Sequence, residues 1–174
     1  MTYSTPMAFA FNAYNHQTAD VQTMIRRGGP QDVFFLRSLL AHAYNWHVNA
    51  LETDIPVTRY VDGWGRQGDA ALVWMDGGHR IGAGWYRLFR ETAPGYGFVD
   101  AETPELTVAV VPSRQGQGIG ELLLKGLLER GKEDGFGALS VSVQAEHPEL
   151  EAYLSEGFEQ LREQGSTITL LRRL

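Results

Sequence analysis

Residues 115–120, Gln-Gly-Gln-Gly-Ile-Gly, place three glycines at alternate positions just ahead of an apolar pattern of helical period. Gly116, Gly118 and Gly120 lack Cβ atoms and can take positive φ, so successive backbone N–H groups can converge on an anion. A helix starting there aims its unpaired N–H groups and the positive end of its dipole at the same point. Such a loop could hold a phosphate or diphosphate without a basic surface; it could also be no more than a tight strand-to-helix connection. Two familiar phosphate loops fail on spacing. The dinucleotide pattern G-x-G-x-x-G meets Glu at position 121, and the P-loop's Gly-Lys-Ser/Thr meets Lys125-Gly126 in reverse order. Metal chemistry has no support: there is no cysteine and no His-Glu-x-x-His, and His42 and His47 miss the i, i+4 spacing of two ligands on one helix face.

The elements that must position this loop are readable around it. Glu105–Val111 alternate as a strand that Pro112 ends, with Glu105, Thr107, Ala109 and Val111 on one face and Leu106, Val108 and Val110 on the other. Leu123, Leu124, Leu127 and Leu128 give one apolar face to a helix over 119–133, with Glu121 four residues before Lys125 on the other. Upstream, residues 24–27 read as a short strand closed by Gly28-Gly29. Pro30 and Asp32 then suit the first turn of an amphipathic helix over 31–49, and a second, shorter helix is expected over 55–64. Two strand-like runs around Asp76-Gly77-Gly78 form a hairpin. After Gly135-Phe136-Gly137 come a strand at 138–143, a short helix beginning near Pro148, and a closing hairpin around Gln164-Gly165. This order describes one mixed α/β domain, a mixed sheet with helices packed on it.

The 174-residue chain is long enough to bury roughly two-thirds of its unfolded surface as a single domain. Residues 1–21 read as an N-terminal extension and 22–174 as the domain. A formal charge of −6 lowers the expectation of nucleic-acid binding. No apolar run approaches a membrane span, and the N-terminus makes a poor signal peptide, so a soluble, cytoplasmic protein without membrane partners is expected. An exposed strand edge near the C-terminus could support a homodimer, although nothing in the residues requires one.

"VAVVPSRQGQGIGELLL" resembles the donor-binding motif of the GNAT superfamily of acyl-CoA N-acyltransferases, with Gln115, Gly118 and Gly120 at the positions of its Q/R-x-x-G-x-G/A. A second resemblance lies in "EHPELEAYLSEGFEQL", where Tyr153 precedes Gly157-Phe158 by four residues as in the family. Glu146 and Glu149 stand where the family often has Asn and Ala, which puts the usual Asn contact to the donor in doubt. The resemblance runs from about residue 22 to the end. It implies a central, mostly antiparallel sheet of about six to seven strands flanked by about four helices.

The resemblance also implies function: an acetyl-CoA-dependent N-acetyltransferase passing the acetyl group directly to a primary amine, with no metal. The glycine loop (Gln115, Gly116, Gln117, Gly118, Ile119, Gly120) would hold the diphosphate of coenzyme A. Main-chain groups of Ala109, Val110 and Val111 would hold the pantetheine arm and the oxyanion, with Glu146 a further donor contact. Tyr153 would protonate the departing thiolate, and Glu105 is the candidate base. The amine acceptor, a cation by preference, would meet Trp64, Trp85, Tyr86, Tyr96 and Phe98, with Asp100 and Glu102 as acidic partners. The alternative is a non-catalytic acyl-CoA-binding sensor or scaffold.

Overall fold

The computed structural model describes residues 24–44 and 55–174; the N-terminal extension and His47 lie outside them. Seven strands form one sheet: β1 (Ile25–Arg27), β2 (Ala70–Asp76), β3 (His79–Arg87), β4 (Glu105–Val110), β5 (Ala138–Gln144), β6 (Glu159–Gln164) and β7 (Thr167–Arg173). Their order is β1-β2-β3-β4-β5-β7-β6. Every pairing is antiparallel except β4 with β5. Three α-helices cover it among the described residues: α1 (Val33–Ala43), α2 (Ile119–Glu133) and α3 (Leu150–Ser155).

The strongest sequence signals give the sharpest elements. The β2–β3 turn forms at Gly77 and Gly78 with φ of 53° and 82°, the positive values a two-residue hairpin requires. The leucine face of α2 packs on one side of the sheet with Leu72, Leu106, Val141 and Leu170. The other side of the sheet carries α1, whose Leu36, Leu39 and Leu40 bury against Ala71, Val73, Ala83 and Trp85. Helix α1 differs from its expected span. Pro30–Asp32 make a 3-10 turn before it, and Tyr44 already leaves helical geometry (φ −127°, ψ 28°). The helix expected over 55–64 is a single 3-10 turn at Val57–Tyr60. Pro56 sits at its start, and Gly63 and Gly65, both with positive φ, keep the chain from continuing it.

Asp32 is more than a helix-start charge. Fully buried, it accepts bonds from Arg26 at 2.8 and 2.7 Å, from Arg80 Nε at 2.7 Å and from the Gly29 N–H at 3.0 Å. The Arg26 guanidinium, with help from Arg80, holds its carboxyl far below the usual range. This hub ties β1, the start of α1 and β3 together.

One feature of the sheet matters most for function. β4 and β5 pair at only one position, Glu105 opposite Ser140, and then diverge. A sheet that splits this way exposes main-chain groups of both strands to whatever enters the gap.

Candidate functional site

The gap between β4 and β5 is a cleft of about 410 Å³ that reaches both faces of the sheet. Leu106–Val110 of β4 and Val141–Val143 of β5 form its walls. One end opens at Gln115 and Gly116, the other at His42, Ala43 and Tyr44 at the end of α1. A second cleft of about 170 Å³ continues over the start of α2, beneath Gly116, Gly118 and Gly120.

The loop between β4 and α2 is held in shape by its own side chains. Gln115 Nε2 donates to the Val110 carbonyl at 3.1 Å, and Arg114 donates to Gln117 Oε1 at 3.0 Å while pairing with Asp76 at 2.7 Å. Gly116 and Gly118 have φ of 76° and 79°, and a Cβ on either would enter open space. Their glycines answer a backbone demand and leave the loop's surface bare. Gly120 is helical, and a Cβ there would make ordinary contact with Val108 at 3.7 Å. Ile119 turns into the core. Gly118 caps α2 without any side-chain bond, so the first N–H groups of the helix keep their donors for a ligand. The cradle therefore fits a diphosphate: bare glycine backbone, free helix donors and an adjoining channel through the sheet.

Ala109 and Val110 line the channel, whereas Val111 donates its N–H to the Ile81 carbonyl at 2.9 Å and stands outside it. Tyr153 of α3 occupies the wall common to both clefts. It is 5% exposed, with its ring edge-on to Phe158 at 5.5 Å. The Gly157-Phe158 pair that marks it in sequence thus closes the helix and packs the ring. Burial, with Glu149 nearby, raises the phenol above its ordinary range and keeps it protonated. Glu146 is exposed and does not line the cleft; His147, Pro148 and Glu149 do.

The sequence of the acetyltransferase (GNAT) family matches this chain over residues 35–158, which includes the glycine loop, the split strands and Tyr153. The chain belongs to the GNAT family. No curated protein sequence matches it. Among solved structures, a ribosomal-protein-alanine N-acetyltransferase from Brucella melitensis is 27% identical, covering 86% of this chain and 99% of its own, with a TM-score of 0.60. An IAA acetyltransferase from Bacillus cereus is 22% identical over 86% and 98% of the two chains, with a TM-score of 0.61. A Salmonella typhimurium protein solved with its cofactor acetyl-CoA is 21% identical over 86% and 92%, with a TM-score of 0.63. The last two likenesses concern the fold.

In this GNAT protein Glu105 is no solvated charge at a strand entrance. It is 1% exposed, on the α1 side of the sheet. Its Oε1 accepts from the Tyr60 hydroxyl and, at 2.9 Å, from the Gly97 N–H, while Oε2 has no partner among the described residues. Burial lifts its carboxyl to about 7, against the opposing pull of those donors and of Arg162. Gly95 leaves room beside it, because a Cβ there would press on Oε2, the Phe89 ring and the Tyr60 hydroxyl. The shift has a signed consequence. Below the unfolded value of 4.5 both states are protonated; between there and about 7 the folded state binds more protons, so its stability falls as pH rises. Glu105→Gln is expected to stabilise the fold at pH 8 by on the order of 2 kcal/mol, with the gain vanishing below about pH 4. Urea unfolding of both proteins at the two pH values checks this.

The structure places the expected acceptor residues away from the cleft. None of the five aromatics lines the cleft. Tyr86 faces α2, where its hydroxyl donates to Asp134 at 2.5 Å and its ring meets Phe136. Trp85 is core, its indole donating to the Tyr60 carbonyl at 3.1 Å. Trp64 lies under the Arg87 guanidinium, 5.5 Å from its ring centre. Tyr96 donates to the Ile55 carbonyl at 2.6 Å, and the Phe98 carbonyl accepts from Arg162 at 2.6 Å. Asp100 Oδ1 caps its own turn, taking the N–H groups of Glu102 and Thr103, and Glu102 is exposed. Trp85, Tyr86 and Tyr96 thus spend their polar tips on partners inside the fold. The cleft's far end is built from His42, Tyr44, Thr107 and Ser142 instead. Of these only Thr107 carried a signal, its shared strand face with Glu105. Ser142 is 7% exposed and its hydroxyl has no partner among the described residues.

Proposed function

We propose that the protein transfers the acetyl group of acetyl-CoA directly to a primary amine. The reading rests above all on one observation: the glycine loop opens onto a channel that crosses the sheet between β4 and β5, with Tyr153 in its wall. Acetyl-CoA as substrate would lay its diphosphate on the main chain of Gly116–Gly120 and run its pantetheine arm along Ala109 and Val110. The acceptor would enter from the opposite end, beside Tyr44 and Thr107. With no cysteine in the sequence, no cysteinyl intermediate can form, which agrees with amine and thioester reacting while both are bound.

Three tasks then fall to named groups. Main-chain N–H groups freed by the split of β4 are already aimed and suit the tetrahedral oxyanion. Tyr153 holds its proton firmly and gives it to the sulfur as the C–S bond breaks. Glu105, lifted to about 7, is matched to taking a proton near neutrality. Its withdrawal from the cleft leaves a distance to be bridged.

Free-thiol release from acetyl-CoA tests the reading, with an alanine-starting peptide, a lysine peptide, spermidine and an aminoglycoside as acceptors. We expect amine-dependent thiol release with acetylated amine as product. Tight acetyl-CoA binding without turnover on any amine would replace the enzyme with a non-catalytic acyl-CoA-binding module.

A further inference from the structure

Three buried side-chain atoms lack a hydrogen-bond partner among the described residues: Glu105 Oε2, Ser140 Oγ and Ser142 Oγ. All three belong to the fork where β4 and β5 part. Ser140 stands opposite Glu105 at the one paired position, and Ser142 follows two residues farther along β5. Alternation sets their faces. Leu139, Val141 and Val143 join the core on the α2 side, so Ser140 and Ser142 face the α1 side, as Glu105 and Thr107 do.

A hydroxyl stripped of water without a partner is costly, so buried hydroxyls are rarely left unpaired. Ser140 is 0% exposed and outside the cleft, whereas Ser142 belongs to the cleft wall. Of the three groups, Ser142 alone borders space that a substrate can enter. On the facing wall, Thr107 Oγ1 is already bonded to the Tyr44 hydroxyl at 2.7 Å. Gly97 packs closely on this stretch of β5, where a Cβ would stand 3.0 Å from the Ser142 nitrogen. Bulk water does not reach the Ser142 hydroxyl, so a ligand that fails to bond it leaves it unpaired.

The chemistry of the transfer says which substrate atom fits. An attacking primary amine carries a lone pair for the thioester carbonyl and two N–H bonds. One N–H must be lost to complete the amide; the other persists in the product and can donate to a fixed oxygen throughout. A secondary amine has only the N–H that it must lose.

We infer that Ser142 positions the acceptor nitrogen: its Oγ accepts the N–H that the product amide keeps, which aims the lone pair at the thioester and confines acceptors to primary amines. The inference rests on the acyl-transfer reading above. Ser142 keeps its own proton, and no bond forms or breaks at its oxygen.

The test compares kcat/KM for the fastest primary amine of the panel with that for its N-methyl counterpart, such as an alanine-starting and an N-methylalanine-starting peptide. The wild type is expected to favour the primary amine by about 100-fold or more, since a site built to bond an N–H rejects the analogue lacking it. Ser142→Ala should shrink that preference by about ten-fold or more, through rate lost on the primary amine, with KM for acetyl-CoA unchanged. Its melting temperature should not fall, because the hydroxyl removed bonds nothing in the described fold. Ser140→Ala removes an equally buried and unpartnered hydroxyl outside the cleft, and should leave the preference at its wild-type value. If Ser142→Ala does not fold, the wild type decides alone: kcat/KM values for the two amines within about three-fold overturn the inference. An unchanged preference in Ser142→Ala, or one that shrinks only because the N-methyl amine speeds up, overturns it and leaves acyl transfer intact. A raised KM for acetyl-CoA with the preference intact also overturns it, and places the hydroxyl on the donor. No thiol release by the wild type with any amine overturns the acyl-transfer reading and this inference together.

Discussion

Replacing Tyr153 by Phe is expected to lower kcat by about 100-fold or more while leaving acetyl-CoA affinity within a factor of two or so, because only the proton donor is lost. The ring survives the change, so its edge-on packing against Phe158 and the closure of α3 by Gly157 survive with it. What disappears is an acid that burial has kept protonated, in the wall where both clefts meet. The thiolate must then leave unprotonated or find a proton in water. A donor whose leaving thiol is more acidic needs that proton less. An acyl thioester of such a thiol, used in place of acetyl-CoA, should therefore recover part of the loss. Steady-state kinetics with both donors and a direct binding titration read the three quantities. Equal kcat in the variant and the wild type would remove Tyr153 from the chemistry.

The largest stability effect is expected far from the glycine loop. Arg87 and Asp69 form a buried ion pair, 0% and 2% exposed, joined at 3.0 and 2.7 Å through two parallel bonds. Arg87 also donates to the carbonyls of Arg59 and Asp62, at 2.7 and 2.8 Å, and its guanidinium lies over Trp64. Asp69 in turn accepts the N–H groups of Gly65 and Arg66, each at 3.0 Å. Asp69→Ala strands the guanidinium and two N–H groups at once, and should cost about 3–5 kcal/mol, or on the order of 10 °C in melting temperature. Asp69→Asn keeps the shape and should cost less. The segment so pinned contains Tyr60, so loosening it should also disturb Glu105. Thermal unfolding by calorimetry checks both variants, and a loss below about 1 kcal/mol would show that the pair is not the anchor of this loop.

Most of the scaffold was legible because its signals are local. Helix α2 needs only its leucine period and the glycines before it, and the β2–β3 turn needs only Gly77-Gly78. The donor loop was legible for the same reason, since its function resides in backbone that glycine exposes. The acceptor end was not. Tyr44, Thr107, Ser142 and His147 come from four separate elements, and beyond the strand face that Thr107 shares with Glu105 nothing in their own neighbourhoods marks them; the split between β4 and β5 brings them together. Aromatics misled in the opposite sense. Trp85, Tyr86 and Tyr96 carry polar tips that could serve a ligand, but each tip is taken by a partner tens of residues away. Glu105 shows both sides of this. Its place on the strand was readable, while its burial depends on Tyr60, Gly95 and Gly97, which only the folded chain sets beside it.

The central claim is that the glycine loop and the split strands receive coenzyme A. It is tested most directly by thermal unfolding with acetyl-CoA and, in parallel, with free coenzyme A. At about one hundred times the dissociation constant, a ligand specific to the folded state adds roughly 2.7 kcal/mol, which for a chain of this length is about 5–10 °C. The account predicts that shift with both ligands. No shift with either, in a sample shown to be folded, would contradict it.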